Sequence, residues 1–171
     1  MSQIRVLHIL SSLTIGGAEN FVMNLYKNIN KDNVIFDFIV FSNEEGIYEK
    51  EVLNNGSIIF RCPRYKLINH KEFCNWWKTF FETHKEYKIL HSHIRSVASI
   101  IFKISKKYGI INIAHSHSTS NGRGLKALLK NCLQKKIPKY ADYLMACSLD
   151  AGIWLYGKKY TKKLNFYVIN M

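Results

Sequence analysis

The chain has 171 residues, 47% of them hydrophobic and 22% charged, with a net charge of +13. That composition is globular rather than disordered, the length suits one domain with a proper core, and no run of about 18 apolar residues is present to cross a bilayer. The N-terminus lacks the basic flank and cleavage site of a secretory signal. Cys62, Cys74, Cys132 and Cys147 are scattered without a CxxC pair, and they read as reduced residues of a cytosolic protein.

In chain order, Ile4 to Leu10 (IRVLHIL) is a short apolar run with β-branched members, which suits a strand covered on both faces. Ser11, Ser12 and Thr14 form a loop that ends in Gly16-Gly17. Phe21, Val22, Leu25, Tyr26 and Ile29 then recur at helical spacing. Two glycines ahead of a helix let backbone approach a ligand, and the helix N-terminus favours an anion there. The same residues also suit a plain tight turn, with Glu19 as a first-turn acid that complements the helix dipole. Neither GxGxxG nor GxxxxGK[ST] is present.

Val34 to Phe41 is the second expected strand, with Asp37 placed near a strand end or bend. A short helix over 47–54 precedes a third strand, Ser57 to Arg61. His70 to Thr83 is a helix whose Phe73, Trp76, Trp77, Phe80 and Phe81 share one face. Packing against the sheet is the main reading of that stripe, and a lipid-touching rim is the alternative. A fourth strand, Lys88 to Ser92, ends at His91-Ser92-His93 and leads into a helix over 94–107. A fifth, Ile110 to Ala114, ends at His115-Ser116-His117-Ser118. Leu125 to Ile137 is an amphipathic helix with Lys126, Lys130, Lys135 and Lys136 on its polar side and no acid, ended by Pro138. A sixth strand, Tyr143 to Cys147, precedes a helix over 149–156 capped by Ser148. A seventh, Asn165 to Ile169, ends the pattern.

Strands alternating with helices specify a doubly wound, mainly parallel, Rossmann-like α/β fold, in which ligands bind beyond the carboxyl ends of the strands. The suggestive residues fall there: Gly16 and Gly17, then His91 and His93, then His115 and His117, then Ser148. In extended chain, side chains at i and i+2 point the same way, so either His-x-His pair could chelate a metal. Alternatively one histidine of each pair is structural and the other faces the cleft, where it could bind hydroxyls or phosphate or share in proton transfer. The second alternative is preferred, and no metal or resident cofactor is expected. Residues 110–171 hold ten Lys or Arg against only Asp142 and Asp150. That excess points to an anionic membrane surface, nucleic acid or a polyphosphate-like substrate. No recognised nucleic-acid module accompanies it, so no nucleic-acid partner is expected.

The motifs VLHILSSLTIGGAENFVMNLYKNI, ILHSH, INIAHSHS, MACSLDAGIWLYG and FYVIN occur in this order. With them the sequence resembles the N-terminal half of a GT-B glycosyltransferase of family 4, the kind found in bacterial capsule and exopolysaccharide clusters. The resemblance spans the whole chain. It implies one half of a GT-B fold over 1–171, an acceptor-side domain facing a nucleotide-sugar-binding domain that follows it or sits on a separate subunit. It implies retaining transfer from a nucleotide sugar, the co-substrate of the complete enzyme, with this chain inactive alone. Gly16 and Gly17 would lie against the donor diphosphate, and His117 would face the reacting centre. His93, His115 and Ser148 would lie on the acceptor side. The acceptors of such enzymes are often lipid-linked, which implies a cytoplasmic protein peripheral on the inner membrane face, with Lys126, Lys130, Lys135 and Lys136 as contacts. Asn20 and Met171 depart from the pattern, at a position often basic and at the expected hinge glycine. A non-catalytic partner subunit that anchors or activates a separate donor-binding chain is the alternative.

Overall fold

The computed structural model describes residues 3–119 and 131–170. They fall into two compact units, Met1–His91 and Ser92–Met171.

The first unit carries β1 (Ile4–Leu10), β2 (Val34–Val40), β3 (Ile59–Arg61) and all but the last residue of β4 (Ile89–Ser92), in the order β3-β2-β1-β4. β1 and β2 are parallel from Ile4↔Val34 to Leu10↔Val40, and β3 joins β2 in parallel from Phe38↔Ile59. The apolar runs are buried over Leu7 to Leu10 of β1 and from Ile35 onward in β2, as expected for strand segments covered on both faces, whereas the start of β1 is open at Ile4. α1 (Gly17–Asn28) follows β1 and buries Phe21, Val22, Met23 and Tyr26. α2 (Glu49–Asn54) follows β2. A single 3₁₀ turn, Leu67–Asn69, leads into α3 (His70–Thr83). The aromatic stripe of α3 is core: Phe73, Trp77, Phe80 and Phe81 are buried, and half-buried Trp76 stacks on Phe80 at 5.3 Å. Each such side chain contributes about 1.5–3 kcal/mol of burial. Trp77 is therefore not available to touch lipid.

Asp37 is not near a strand end. It lies in the middle of β2, fully buried, and its carboxylate accepts from four donors. Arg5 gives Nε at 2.6 Å and Nη2 at 2.8 Å, Tyr87 its hydroxyl at 2.9 Å, and Ile58 its amide at 2.7 Å. A charge can sit mid-strand because these partners replace its water. Burial, chiefly, raises the Tyr87 pKa, so the phenol stays a donor.

The second unit carries β5 (Ile111–Ser116), β6 (Tyr143–Ala146) and β7 (Phe166–Val168), parallel and in that order. β5 extends two residues beyond the expected Ala114 and takes in His115 and Ser116. α4 (Ala98–Ser105) is shorter than the expected 94–107. It is continued by a 3₁₀ turn, Lys106–Tyr108, that Gly109 closes in the left-handed conformation. The expected basic helix over 125–137 lies largely outside the described residues, with 131–134 helical. Pro138 does not end it; it sits in the first turn of α5 (Ile137–Tyr140), where its missing N–H has no helical partner to lose. α6 (Leu149–Tyr156) packs so closely on β7 that a Cβ on Gly152 would lie 2.5 Å from the Phe166 ring. The buried Tyr156 hydroxyl lies 2.9 Å from the carbonyls of both Ala114 in β5 and Met145 in β6.

Candidate functional site

In the first unit, the loop after β1 leads to Gly16, which is extended at φ −170° and offers no side-chain cap to α1. Gly16 therefore contributes no cap to the first N–H groups of α1, and the Glu19 carboxylate lies against it, 2.3 Å from where a Cβ on Gly16 would stand. Glu19, in the first turn, places a carboxylate there and accepts from the Ser11 hydroxyl at 3.1 Å. A Cβ on Gly17 would meet nothing within 4 Å, so the backbone at Gly17 is open to approach. The acid complementing the dipole and the open glycine thus coexist.

Gly46 was not legible as special, yet a Cβ there would lie 2.3 Å from the Leu13 carbonyl oxygen. Only glycine lets the loop after β2 pack against the loop after β1. Buried Glu49 fixes this contact: its carboxylate accepts from the Gly46 amide at 3.0 Å and from Arg61 Nη2 at 2.6 Å. Beside them, the segments after β2 and β3 bound an open cleft of about 500 Å³, lined by Phe41 to Glu44 and by Pro63, Arg64, Lys66 and Asn69. Arg64 Nε donates to the Phe41 carbonyl, and Asn69 bonds both Arg64 and Lys66 backbone. Nothing in the sequence marks 64–69 as part of a site. Another residue with no sequence signal of its own is His8, buried inside β1 with its ring 5.0 Å from that of His91.

In the second unit, His93, His115 and His117 come together. β5 holds His115 and, just past its end, His117 on the same side, so their rings stack at 4.1 Å. His93 follows β4, with ring centroids 5.5 Å from His115 and 5.0 Å from His117. His93 Nδ1 and His117 Nε2 share a hydrogen bond of 2.8 Å. Burial lowers the His117 pKa to about 4, so its imidazole is neutral near pH 7. A neutral imidazole can accept a proton, donate one hydrogen bond or ligate a metal. Arg95, two residues past His93, lies over the Trp154 ring at 4.8 Å, and burial lowers its pKa. Ser148 caps α6 as expected, accepting from the Ala151 amide at 3.1 Å. Lys135 and Lys136 are exposed, whereas Lys126 and Lys130 lie outside the described residues.

Parallel strands alternating with helices, with polar residues gathered at the strand carboxyl ends, define a Rossmann-like half, and the fold is that of one half of a GT-B glycosyltransferase. HepE from Anabaena, solved with UDP and glucose, superimposes with a TM-score of 0.68 at 15% identity, over 98% of this chain and 44% of that one. MurG from Acinetobacter baumannii gives 0.60 at 10% identity, over 97% and 45%. The lipopolysaccharide outer core galactosyltransferase WaaB gives 0.63 at 17%, over 97% and 45%. In sequence, the chain is 32% identical over 161 residues to EpsF of Bacillus subtilis (strain 168), a protein assigned provisionally as a glycosyltransferase. That alignment covers 92% of this chain and 42% of EpsF, so the chain spans less than half the length of the curated relative it matches. These matches are consistent with the N-terminal half. No protein-family profile matches the chain. Among the described residues, no helix is long and apolar enough to cross a membrane.

Proposed function

We propose that this chain is the acceptor-side half of a retaining, nucleotide-sugar-dependent glycosyltransferase of bacterial surface polysaccharide biosynthesis, and that turnover requires a donor-binding half. The observation that carries the reading is the EpsF relationship along 92% of the chain. The reaction breaks the bond between the anomeric carbon and a diphosphate oxygen, and it forms a bond from that carbon to an acceptor hydroxyl oxygen. The hydroxyl proton leaves toward the departing diphosphate or a base. The protein must orient the acceptor and stabilise charge on the leaving group. In this reading His117, neutral and held by His93, meets the reacting centre. His93, His115 and Ser148 lie on the acceptor side, and Gly16 and Gly17 admit the donor diphosphate to the N-terminus of α1. The acceptor is lipid-linked, and the basic residues Lys126, Lys130, Lys135 and Lys136 hold the domain on the inner membrane face.

The test is sugar transfer from nucleotide sugars to lipid-linked acceptors, measured for the 171-residue chain alone and for the chain joined to its donor-binding half. Turnover by the joined protein only is expected. In that protein His117→Ala is expected to lower kcat by about 100-fold or more with an unchanged Tm. Robust turnover by the chain alone would refute the claim of incompleteness, and full activity of His117→Ala would remove that residue from the site.

A further inference from the structure

We propose that His93, His115 and His117 form a three-imidazole site for a divalent transition-metal cation of zinc-like chemistry. The ligand nitrogens of the three side chains lie within 4.8 Å of one another. Two of the residues are delivered by one strand and its immediate continuation, where the two-residue period of extended chain aims both rings the same way. The third enters from the end of β4, and its Nδ1 already points at His117 Nε2. Zinc–nitrogen bonds of about 2.0–2.1 Å in a tetrahedral site put ligand nitrogens about 3.3 Å apart. The 2.8 Å pair must therefore open by roughly half an ångström, and a pair near the 4.8 Å limit must close by up to about 1.5 Å, through rotation of the rings about their side-chain torsions. The cation would take the place of the proton that these two nitrogens share.

The donor set selects the ion. The group is all nitrogen, with no carboxylate in it, so it suits zinc, cobalt or nickel and disfavours magnesium and calcium, which need oxygen ligands. Three protein ligands leave a fourth position open, the arrangement of zinc sites that accept an exogenous oxygen or anion. Where the acceptor-side reading of these histidines holds, a bound cation occupies the nitrogens that would meet the acceptor, so it inhibits transfer. That consequence rests on the proposed function; the binding itself does not.

The test is calorimetric titration of zinc into the chelator-treated 171-residue chain. One cation per chain is expected, with no heat from magnesium, and cobalt is expected to give the visible absorption of a four-coordinate site. His93→Gln and His115→Asn are each expected to weaken zinc binding by at least about tenfold, while His70→Gln and His84→Gln leave it unchanged. Because a buried histidine variant can misfold, the cobalt spectrum of the wild-type chain provides a readout that needs no variant. No zinc binding, no cobalt spectrum of that kind, or binding undiminished in folded His93→Gln and His115→Asn would each overturn the proposal. Each readout is independent of sugar transfer, so an inactive enzyme leaves the result intact.

Discussion

The four-donor cage around Asp37 makes the sharpest stability prediction. Asp37→Ala strands the Arg5 guanidinium, the buried Tyr87 hydroxyl and the Ile58 amide together. Breaking a buried ion pair by removing one partner costs about 3–5 kcal/mol; Arg5 keeps a quarter of its side chain exposed, which puts Asp37→Ala at the lower part of that range, still a large share of a typical total of roughly 5–15 kcal/mol. Asp37→Asn keeps the shape but turns its charge-assisted bonds into neutral ones and aims an NH₂ at a donor, for about 2–3 kcal/mol. Tyr87→Phe removes one donor and leaves the carboxylate three, for about 1 kcal/mol. Urea unfolding should therefore rank the variants Ala, Asn, Phe from least to most stable. With a slope of about 2 kcal/mol/M, the Asp37→Ala midpoint falls by roughly 2 M. An Arg5→Met/Asp37→Leu double variant should lose less than the sum of its singles by at least about 1 kcal/mol, because the two charges disappear together. A loss below about 1 kcal/mol for Asp37→Ala, or strict additivity in the double variant, would refute the argument that this network holds β1 and β2 to the loop before β3.

The glycines separate packing from access: Gly46→Ala drives a methyl into the Leu13 carbonyl and Gly152→Ala drives one into Phe166, so each should cost about 1–3 kcal/mol by thermal melting. Gly17→Ala meets no neighbour and should leave Tm within a few degrees, yet lower turnover of the complete enzyme if the donor diphosphate approaches there; a large fall in Tm would contradict the open backbone. Thiol alkylation of the native chain near pH 8 should modify exposed Cys132 quickly and spare Cys62, whose pKa burial raises, until denaturant is added; equal rates would contradict the burial of Cys62. Sedimentation with anionic vesicles should capture the chain and release it at high salt, and charge reversal of Lys126, Lys130, Lys135 and Lys136 should weaken capture at roughly 1 kcal/mol per site; equal binding to neutral vesicles would refute the electrostatic docking.

Much of the fold was legible because its two longest strands are mostly buried and its helices carry clean apolar stripes. α3 and α6 run over the residues their spacing indicates, and β1 and β2 follow from near-continuous apolar runs. Asp37 misled because a lone charge inside such a run looks like a break, and its partners lie 32 and 50 positions away in Arg5 and Tyr87. Pro138 misled because proline suits the first turn of a helix as well as the residue beyond its end. In the candidate site, the pairing of His115 with His117 could be read from two-residue spacing. The approach of His93 to both could not, since it depends on where β4 ends. Gly46 carries no local signal at all: its need for glycine arises from a carbonyl 33 positions earlier.

The Tyr156 hydroxyl has one proton and two strand carbonyls to satisfy, so Ala114 and Met145 share it. That single phenol works as a strut between α6 and the residue directly before His115. A substitution anywhere on α6 that tilts the ring by a fraction of an ångström would shift the imidazole spacing without touching a histidine. Impaired variants selected at random should accordingly cluster on this helix as well as at the strand ends, and their defects should be mended by second changes that reseat the tyrosine.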